Sequence, residues 1–157
     1  SGVIGKTEIV DAYPPGSMTS THTGNPLSCR AAIASIRSLI DEDLIGNAAR
    51  LEMTLLNAME GIAQKHPDVV GRTSAKGLVG GLQIVKPGTQ EPSHDLAFDI
   101  IERCFHKGLL LFAPVGAWGQ TVKLAPPLCI TKGALEEGLQ VLAECVDEAV
   151  NASQKDC

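Results

Sequence analysis

The chain has 157 residues, of which 44% are hydrophobic and 20% charged, so it is long and apolar enough to build one packed domain. Its formal net charge is −5 and its Lys and Arg residues form no cluster, which argues against nucleic acid or an anionic membrane surface as a partner. No run approaches the roughly 18 consecutive apolar residues of a membrane span, and the chain opens without a signal-peptide pattern. We therefore expect a cytoplasmic protein with no membrane partner.

The first convincing helix follows a loop that is rich in hydroxyl groups. Residues 1–17 are rich in Gly and Pro and predict a loop, and residues 19–24 add several Ser and Thr side chains. Asn25 is a favoured N-cap and Pro26 suits the first helical position. The unpaired N–H groups and the positive dipole end of this helix would face the loop, where a phosphate would fit. The alternative is an ordinary Ser/Thr-rich turn before a capped helix.

Two helices are predicted in succession. Ile33, Ile36 and Ile40 recur at helical spacing, which predicts a helix from Pro26 to about Ile40 with one buried face. A second helix keeps a 4-3-4-4-3 rhythm of apolar residues until Pro67 stops it. Its predicted core residues are Leu44, Ala48, Leu51, Leu55, Met59 and Ile62.

Beyond Pro67 the pattern changes to short β-branched and apolar runs that predict strands. They cover residues 69–70, 78–85, 109–112 and 121–125. Adjacent glycines inside a strand weaken it, so Gly80-Gly81 indicates the close approach of another backbone or of a substrate.

Two further helices complete the chain. One follows Ser93 and is ended by Gly108, and the last begins near Thr131 and is expected to fray over residues 151–157. The order of elements predicts an α+β fold, with a small, mostly antiparallel sheet and helices on one face. No repeat, low-complexity tract or linker divides residues 25–150 into two domains.

The five cysteines are scattered, with no C-x-x-C pair and no histidine at metal-ligand spacing, so we expect reduced thiols and no metal site. Cys29, Cys104 and Cys145 fall within helical patterns and are expected to pack as small apolar residues. Trp118, in the loop of residues 113–120, either lines a substrate entrance or packs under that glycine-containing loop.

Several blocks of the sequence resemble one family in its order and spacing. The run STHTGNPL at residues 20–27 resembles the S/G-T-x-x-G-N-P-L segment of class III (ornithine/4-aminobutyrate-type) pyridoxal-phosphate aminotransferases. SGVIG at residues 1–5, GLVGGL at 77–82, GLLL at 108–111 and VKLAPPLCIT at 122–131 are similar to further family segments. The resemblance covers essentially the whole chain.

This resemblance implies domains and site residues. Residues 1–24 would be the tail end of the large cofactor-binding domain, including the phosphate-contact loop. Residues 25–157 would be a connecting helix and the C-terminal small domain of a fold-type I enzyme. Ser20 and Thr21 match residues that contact the cofactor phosphate from the neighbouring subunit, which implies a homodimer. Lys123 stands where the family commonly has an arginine that binds a substrate carboxylate, so either Lys123 takes this role or it is a surface lysine.

The lysine that binds pyridoxal phosphate would precede Ser1, so we assign no catalytic residue and expect this chain alone to be inactive, with Lys6 as a solvent-facing residue. The leading hypothesis is the C-terminal portion of an aminotransferase that moves an amino group from an amino acid or ω-amine to a 2-oxo acid. The alternatives are a non-catalytic α+β module that binds a phosphorylated small molecule near Thr21, and a dimerisation domain.

Overall fold

The computed structural model describes residues 2–14, 16–17 and 21–153. The chain divides into two compact units, Ser1–Asp43 and Leu44–Cys157. The division falls between the first two long helices, where Asp43 has a positive φ of 48°.

The first unit contains two helices, α1 (Thr7–Val10) and α2 (Pro26–Asp41). α1 is a single turn within the segment predicted as loop. α2 begins at Pro26 after the Asn25 cap, which confirms that prediction. Its predicted buried face is wrong, because Ile33, Ile36 and Ile40 are 46%, 57% and 72% exposed and no α2 side chain is buried. Cys29, predicted to pack, is exposed on the same helix. The spacing predicts an apolar stripe correctly but carries no information on what covers it.

The second unit contains α3 (Leu44–Lys65), α4 (His94–His106) and α5 (Lys132–Ser153) with a three-stranded antiparallel sheet. The strands lie in the order β1 (Val70–Lys76), β2 (Val79–Ile84) and β3 (Thr121–Leu124). The α+β class and the antiparallel sheet are therefore confirmed. The fraying predicted from residue 151 is wrong for residues 151–153, which continue α5, while residues 154–157 lie outside the described part.

One face of the sheet is buried and the other is open. α3 packs on β1 and β2, α4 packs on β2 and β3, and α5 packs on both helices. Buried and more exposed positions therefore alternate along β2 and β3, as expected for a sheet that is covered by helices on one face. The buried positions are Gly80, Leu82, Ile84, Val122 and Leu124. The more exposed positions are Val79, Gly81, Gln83, Thr121 and Lys123.

The apolar run at residues 109–112 is not a strand, which corrects the sequence prediction. The backbone leaves α4 at Gly108, whose φ is +86°, and the Leu109 N–H donates to the Cys104 carbonyl at 2.8 Å. Among the described strands none pairs with this segment, and Leu110 and Phe112 are 79% and 66% exposed. A strand requires a partner, and the apolar pattern alone does not supply one.

The close approach predicted at Gly80-Gly81 exists, and its shortest contacts are with side chains of the same unit. A Cβ atom at Gly80 would lie 2.8 Å from Met59 Sδ and 3.2 Å from Leu55 Cδ2 in the core. A Cβ atom at Gly81 would lie 3.0 Å from Thr121 Cγ2 on the opposite face. Gly80 therefore lets α3 pack closely on the sheet.

We expect Gly80→Ala to lower the free energy of unfolding by about 1–3 kcal/mol, because the added methyl overfills a packed core. Gly81→Ala is the matched control, since it meets one methyl group on the less buried face and should cost less. Urea unfolding of both variants measures the difference. Equal losses would contradict the close packing of α3 on β2.

An ion-pair cluster joins the end of α3 to α5. Lys65 Nζ and His66 Nε2 each lie 2.5 Å from the Asp147 carboxylate. The Lys65 ammonium, followed by the His66 ring, holds the pKa of the Asp147 carboxyl below its ordinary value. The contribution of Asp147 to stability is therefore present above about pH 3.9, the unfolded pKa, and is lost as the pH falls through the lower folded pKa.

We accordingly expect Asp147→Asn to be less stable than the wild type at pH 7, with the difference disappearing as the pH falls below about 4. Glu137→Gln on the same helix is the control, because Glu137 is exposed and belongs to no ion pair of the described residues. Urea unfolding between pH 3 and pH 7 would follow both differences. A deficit for Asp147→Asn that stays constant with pH would contradict the ion-pair explanation.

Candidate functional site

The predicted phosphate loop is described only in part. Ser20 lies outside the described residues, whereas Thr21 is exposed in the turn of residues 21–24. Gly24 has a positive φ of +72°, and the Asn25 N–H donates to the His22 carbonyl at 3.2 Å. The turn presents Thr21 to solvent immediately before α2.

The N-terminus of α2 is capped by the protein itself. Asn25 Oδ1 accepts hydrogen bonds from the N–H groups of Leu27 at 3.0 Å and Ser28 at 3.2 Å, and Pro26 has no N–H to offer. The prediction that free N–H groups of this helix face an anion is therefore wrong at these positions. The first turn of α2 contains no acidic residue, so its positive dipole end is not neutralised from within the helix.

Lys123 lies on β3, one of the two edge strands of the sheet, directly opposite Gly81 on β2. Its side chain is half-buried, and its Nζ lies 5.8 Å from the centre of the Phe112 ring. That distance is within the range of a cation–π contact. None of the ion pairs between described residues includes Lys123, so its ammonium has no carboxylate partner within the described ranges.

A groove of about 280 Å³ lies beside Lys123. Lys123 is the sole charged residue among those that line it. The walls come from the segment after α4, the residues after β3 and one side of α5. They include Leu109, Phe112, Pro126, Pro127, Ile130, Leu135 and Gly138. Such a groove can hold a molecule that combines a carboxylate with a hydrocarbon chain.

Sequence reasoning identified Lys123 but missed Phe112 and the pairing with Gly81. The Phe112 contact depends on an irregular segment for which the apolar pattern predicts a strand. The Gly81 pairing depends on strand register. No local signal in the sequence reports either contact.

The loop that carries Trp118 is ordered by polar contacts. Gly116 and Gly119 have φ values of +95° and +62°, and His94 Nδ1 lies 3.0 Å from the Gly119 carbonyl oxygen. The Trp118 N–H donates to Gln120 Oε1 at 3.2 Å, while the Trp118 side chain is 71% exposed. The interpretation of Trp118 as a residue packed under the loop is therefore wrong, and its role at a substrate entrance stays a prediction.

The buried thiols of the second unit are unsuited to nucleophilic chemistry. Cys104 and Cys145 are fully buried, which confirms the prediction that they pack in the core. Burial, with the neighbouring Cys145 thiol, raises the pKa of Cys104 to about 12, so its thiol stays protonated at neutral pH. The described residues hold no group of three His, Cys, Asp or Glu side chains that could ligate a metal ion. Nor is any helix in the described ranges both long and apolar enough to cross a membrane.

The chain is similar in sequence to curated aminotransferases. The chain is 31% identical over 150 residues to 4-aminobutyrate aminotransferase GabT of Escherichia coli, and the match covers 95% of the chain and 35% of that protein. It is 34% identical over 149 residues to 5-aminovalerate aminotransferase DavT of Pseudomonas aeruginosa, covering 94% of the chain and 34% of that protein. The chain therefore spans about a third of the length of these curated relatives.

A solved structure and a family model give the same result. The fold is similar to taurine:2-oxoglutarate aminotransferase from Bifidobacterium kashiwanohense, solved in complex with PLP and glutamate. The TM-score is 0.73 at 26% identity, covering 83% of this chain and 30% of that one. The model of the family described as "Aminotransferase class-III" matches residues 1–146. The chain therefore belongs to the class III aminotransferase family.

Proposed function

We propose that the full-length protein transfers an amino group from an amino acid or an ω-amine to a 2-oxo acid, with pyridoxal phosphate as cofactor. The observation that carries this proposal is the half-buried Lys123 ammonium beside an apolar groove, without a carboxylate partner among the described residues. A 2-oxo acid has a carboxylate next to its reacting carbon, and an ammonium can bind a carboxylate through a charge-assisted hydrogen bond. Family membership supports the same reaction class.

We propose that the phosphate of the cofactor binds near Thr21. Thr21 is exposed in the turn that precedes α2, and the first turn of that helix has no acidic residue that would repel a phosphate. We propose that Thr21, together with Ser20, donates hydrogen bonds to this phosphate. Pyridoxal phosphate, when bound, supplies the electron sink for amino-group transfer.

We further propose a homodimer, with residues 1–24 ending a large cofactor-binding domain and residues 25–157 forming the connecting helix and small domain. The resemblance of residues 20–27 to a segment that acts across a subunit interface supports this arrangement. Ser20 and Thr21 of one subunit would then bind the phosphate in the site of the other.

In the full-length protein, Thr21→Ala should weaken cofactor binding by about ten- to a hundredfold, since it removes one hydrogen bond to a charged group, roughly 1.5–3 kcal/mol. Equilibrium dialysis against pyridoxal phosphate measures the dissociation constant, and the folded state is checked by circular dichroism. His22→Ala in the same turn is the neighbouring control, because the His22 side chain is exposed. An unchanged dissociation constant for Thr21→Ala would remove Thr21 from the phosphate site.

The proposed reaction is tested by incubating the full-length protein with pyridoxal phosphate, 2-oxoglutarate and a panel of donors that includes 4-aminobutyrate, 5-aminovalerate and taurine. We expect glutamate to form in step with the loss of one of these donors. The panel follows the substrates named for the similar proteins. Absence of transfer from every amino acid and ω-amine tested, with cofactor bound, would contradict the proposal.

A further inference from the structure

Asn47 joins two parts of the second unit that are far apart in sequence. It lies in the first turn of α3, and its Nδ2 donates hydrogen bonds to the carbonyl oxygens of Leu128 at 2.8 Å and Ile130 at 3.0 Å. The two bonds use both hydrogens of the side-chain amide. The acceptors are 81 and 83 residues further along the chain.

The segment that Asn47 binds forms one wall of the groove beside Lys123. This segment, residues 125–131, connects β3 to α5 without forming a helix or strand of its own. Pro126, Pro127 and Ile130 line the groove together with Lys123. Its internal support includes a hydrogen bond from the Ile130 N–H to the Pro127 carbonyl at 2.9 Å. Asn47 adds two hydrogen bonds to this wall from outside the segment.

We propose that Asn47 is a positioning residue for the substrate site, which holds the wall of residues 125–131 in place opposite Lys123, so that the groove accepts a bound hydrocarbon chain. The inference rests on the proposed function, because it assigns the groove to the substrate. The Asn47 side-chain amide acts through the backbone of Leu128 and Ile130, whose carbonyl oxygens accept its two hydrogen bonds. It selects for the apolar part of the substrate, whereas Lys123 binds the carboxylate.

The experiment measures steady-state kinetics of the full-length enzyme with two ω-amino acids that differ in chain length, 4-aminobutyrate and 6-aminohexanoate. In Asn47→Ala the wall loses both hydrogen bonds, so the KM of the longer donor should rise by about three- to tenfold relative to that of the shorter one. The kcat values should change less than the KM values, because Asn47 touches no reacting atom. Asn47→Asp keeps the side-chain shape but replaces the amide donor with a carboxylate oxygen, which repels the two carbonyl oxygens instead of donating to them. Its effect should therefore equal or exceed that of Asn47→Ala.

Two controls separate positioning from general stabilisation. Asn57→Ala changes an exposed asparagine on the same helix and should leave both KM values unchanged. Asn47→Gln keeps the amide donors and should restore part of the KM ratio. If Asn47→Ala yields too little folded enzyme, the Asn47→Gln and Asn47→Asp pair decides, since only the former retains the donors.

Amide hydrogen exchange provides a second measurement, in which the wall segment of Asn47→Ala should exchange faster than that of Asn57→Ala. If the wild type transfers amino groups while every Asn47 variant keeps the wild-type KM ratio, the positioning role is wrong and the proposed function stands. If the wild type transfers no amino group, the proposed function fails, and this inference fails with it.

Discussion

Met59→Ala should lower the free energy of unfolding of the 157-residue chain by about 2–5 kcal/mol, the usual cost of removing a fully buried large side chain. Met59 has no exposed surface and fills the space under Gly80, where α3 packs on the sheet. The matched control is Met53→Ala, which changes the same residue type on the same helix where the side chain is 55% exposed. That variant should stay within about 0.5 kcal/mol of the wild type.

Urea unfolding monitored by circular dichroism would compare the two methionine variants. The double variant with Gly80→Ala makes the test sharper, because the added methyl group would then occupy space that Met59 has vacated. We expect Gly80→Ala to cost less in the Met59→Ala background than in the wild type, which is a direct sign of coupling. Equal losses from Met53→Ala and Met59→Ala, or fully additive costs, would contradict the packing of α3 described here.

The sequence pattern predicted buried residues correctly in helices whose apolar stripe packs against another element of the same unit. Leu51, Leu55 and Met59 are buried as their spacing predicts, because α3 packs on the sheet and on α5. Ile33 and Ile36 have the same kind of spacing on α2, yet they are exposed. Periodicity identifies a stripe, but burial depends on a partner surface that the local pattern does not contain.

The strands depend even more on partners that the local sequence pattern does not contain. Residues 109–112 and 121–125 are both apolar runs, but β3 covers only Thr121–Leu124 in the second of them, and the first is irregular. β1 extends to Lys76, well beyond the two valines that predicted it, because pairing with β2 extends it through small and polar residues. Strand pairing is a long-range interaction, so short apolar runs predict it poorly.

The sequence analysis predicted Lys123 as a residue of the candidate site but did not predict the groups that surround it. Lys123 was identified through resemblance, whereas the Phe112 ring, the opposing Gly81 and the Asn47 bonds to the groove wall depend on tertiary structure. At the start of α2 the local structure was predicted correctly, whereas the surroundings expected for a phosphate were not. Asn25 was correctly predicted as a cap, and its cap hydrogen bonds remove the free N–H donors that the phosphate-site prediction relied on.

Lys123→Met should raise the KM of carboxylate-bearing donors by about ten- to a hundredfold in the full-length enzyme. Methionine keeps much of the side-chain volume but removes the charge, so a carboxylate loses its charge-assisted hydrogen bond, roughly 1.5–3 kcal/mol. The apolar walls of the groove should still accept the hydrocarbon part of the donor. The effect should therefore depend on the carboxylate and not on the size of the substrate.

Lys123→Arg is the charge-preserving control. A guanidinium can form two parallel hydrogen bonds to a carboxylate, whereas an ammonium acts as a point charge, so this variant should keep or lower the KM of carboxylate donors. Phe112 can hold either cation, since both lie favourably over an aromatic ring. Loss of activity in both Lys123→Arg and Lys123→Met would point to a requirement for the shape of lysine rather than for its charge.

The most direct test of the account is the ratio of kcat/KM values for a donor with a carboxylate and an amine without one, measured in wild-type and Lys123→Met full-length enzyme. We predict that the substitution lowers kcat/KM for the carboxylate donor by about ten- to a hundredfold and changes it little for the carboxylate-free amine. The acceptor is held at saturation so that its own carboxylate does not enter the comparison. Equal changes for both donors, or no change for either, would contradict the assignment of Lys123 and its groove to substrate binding.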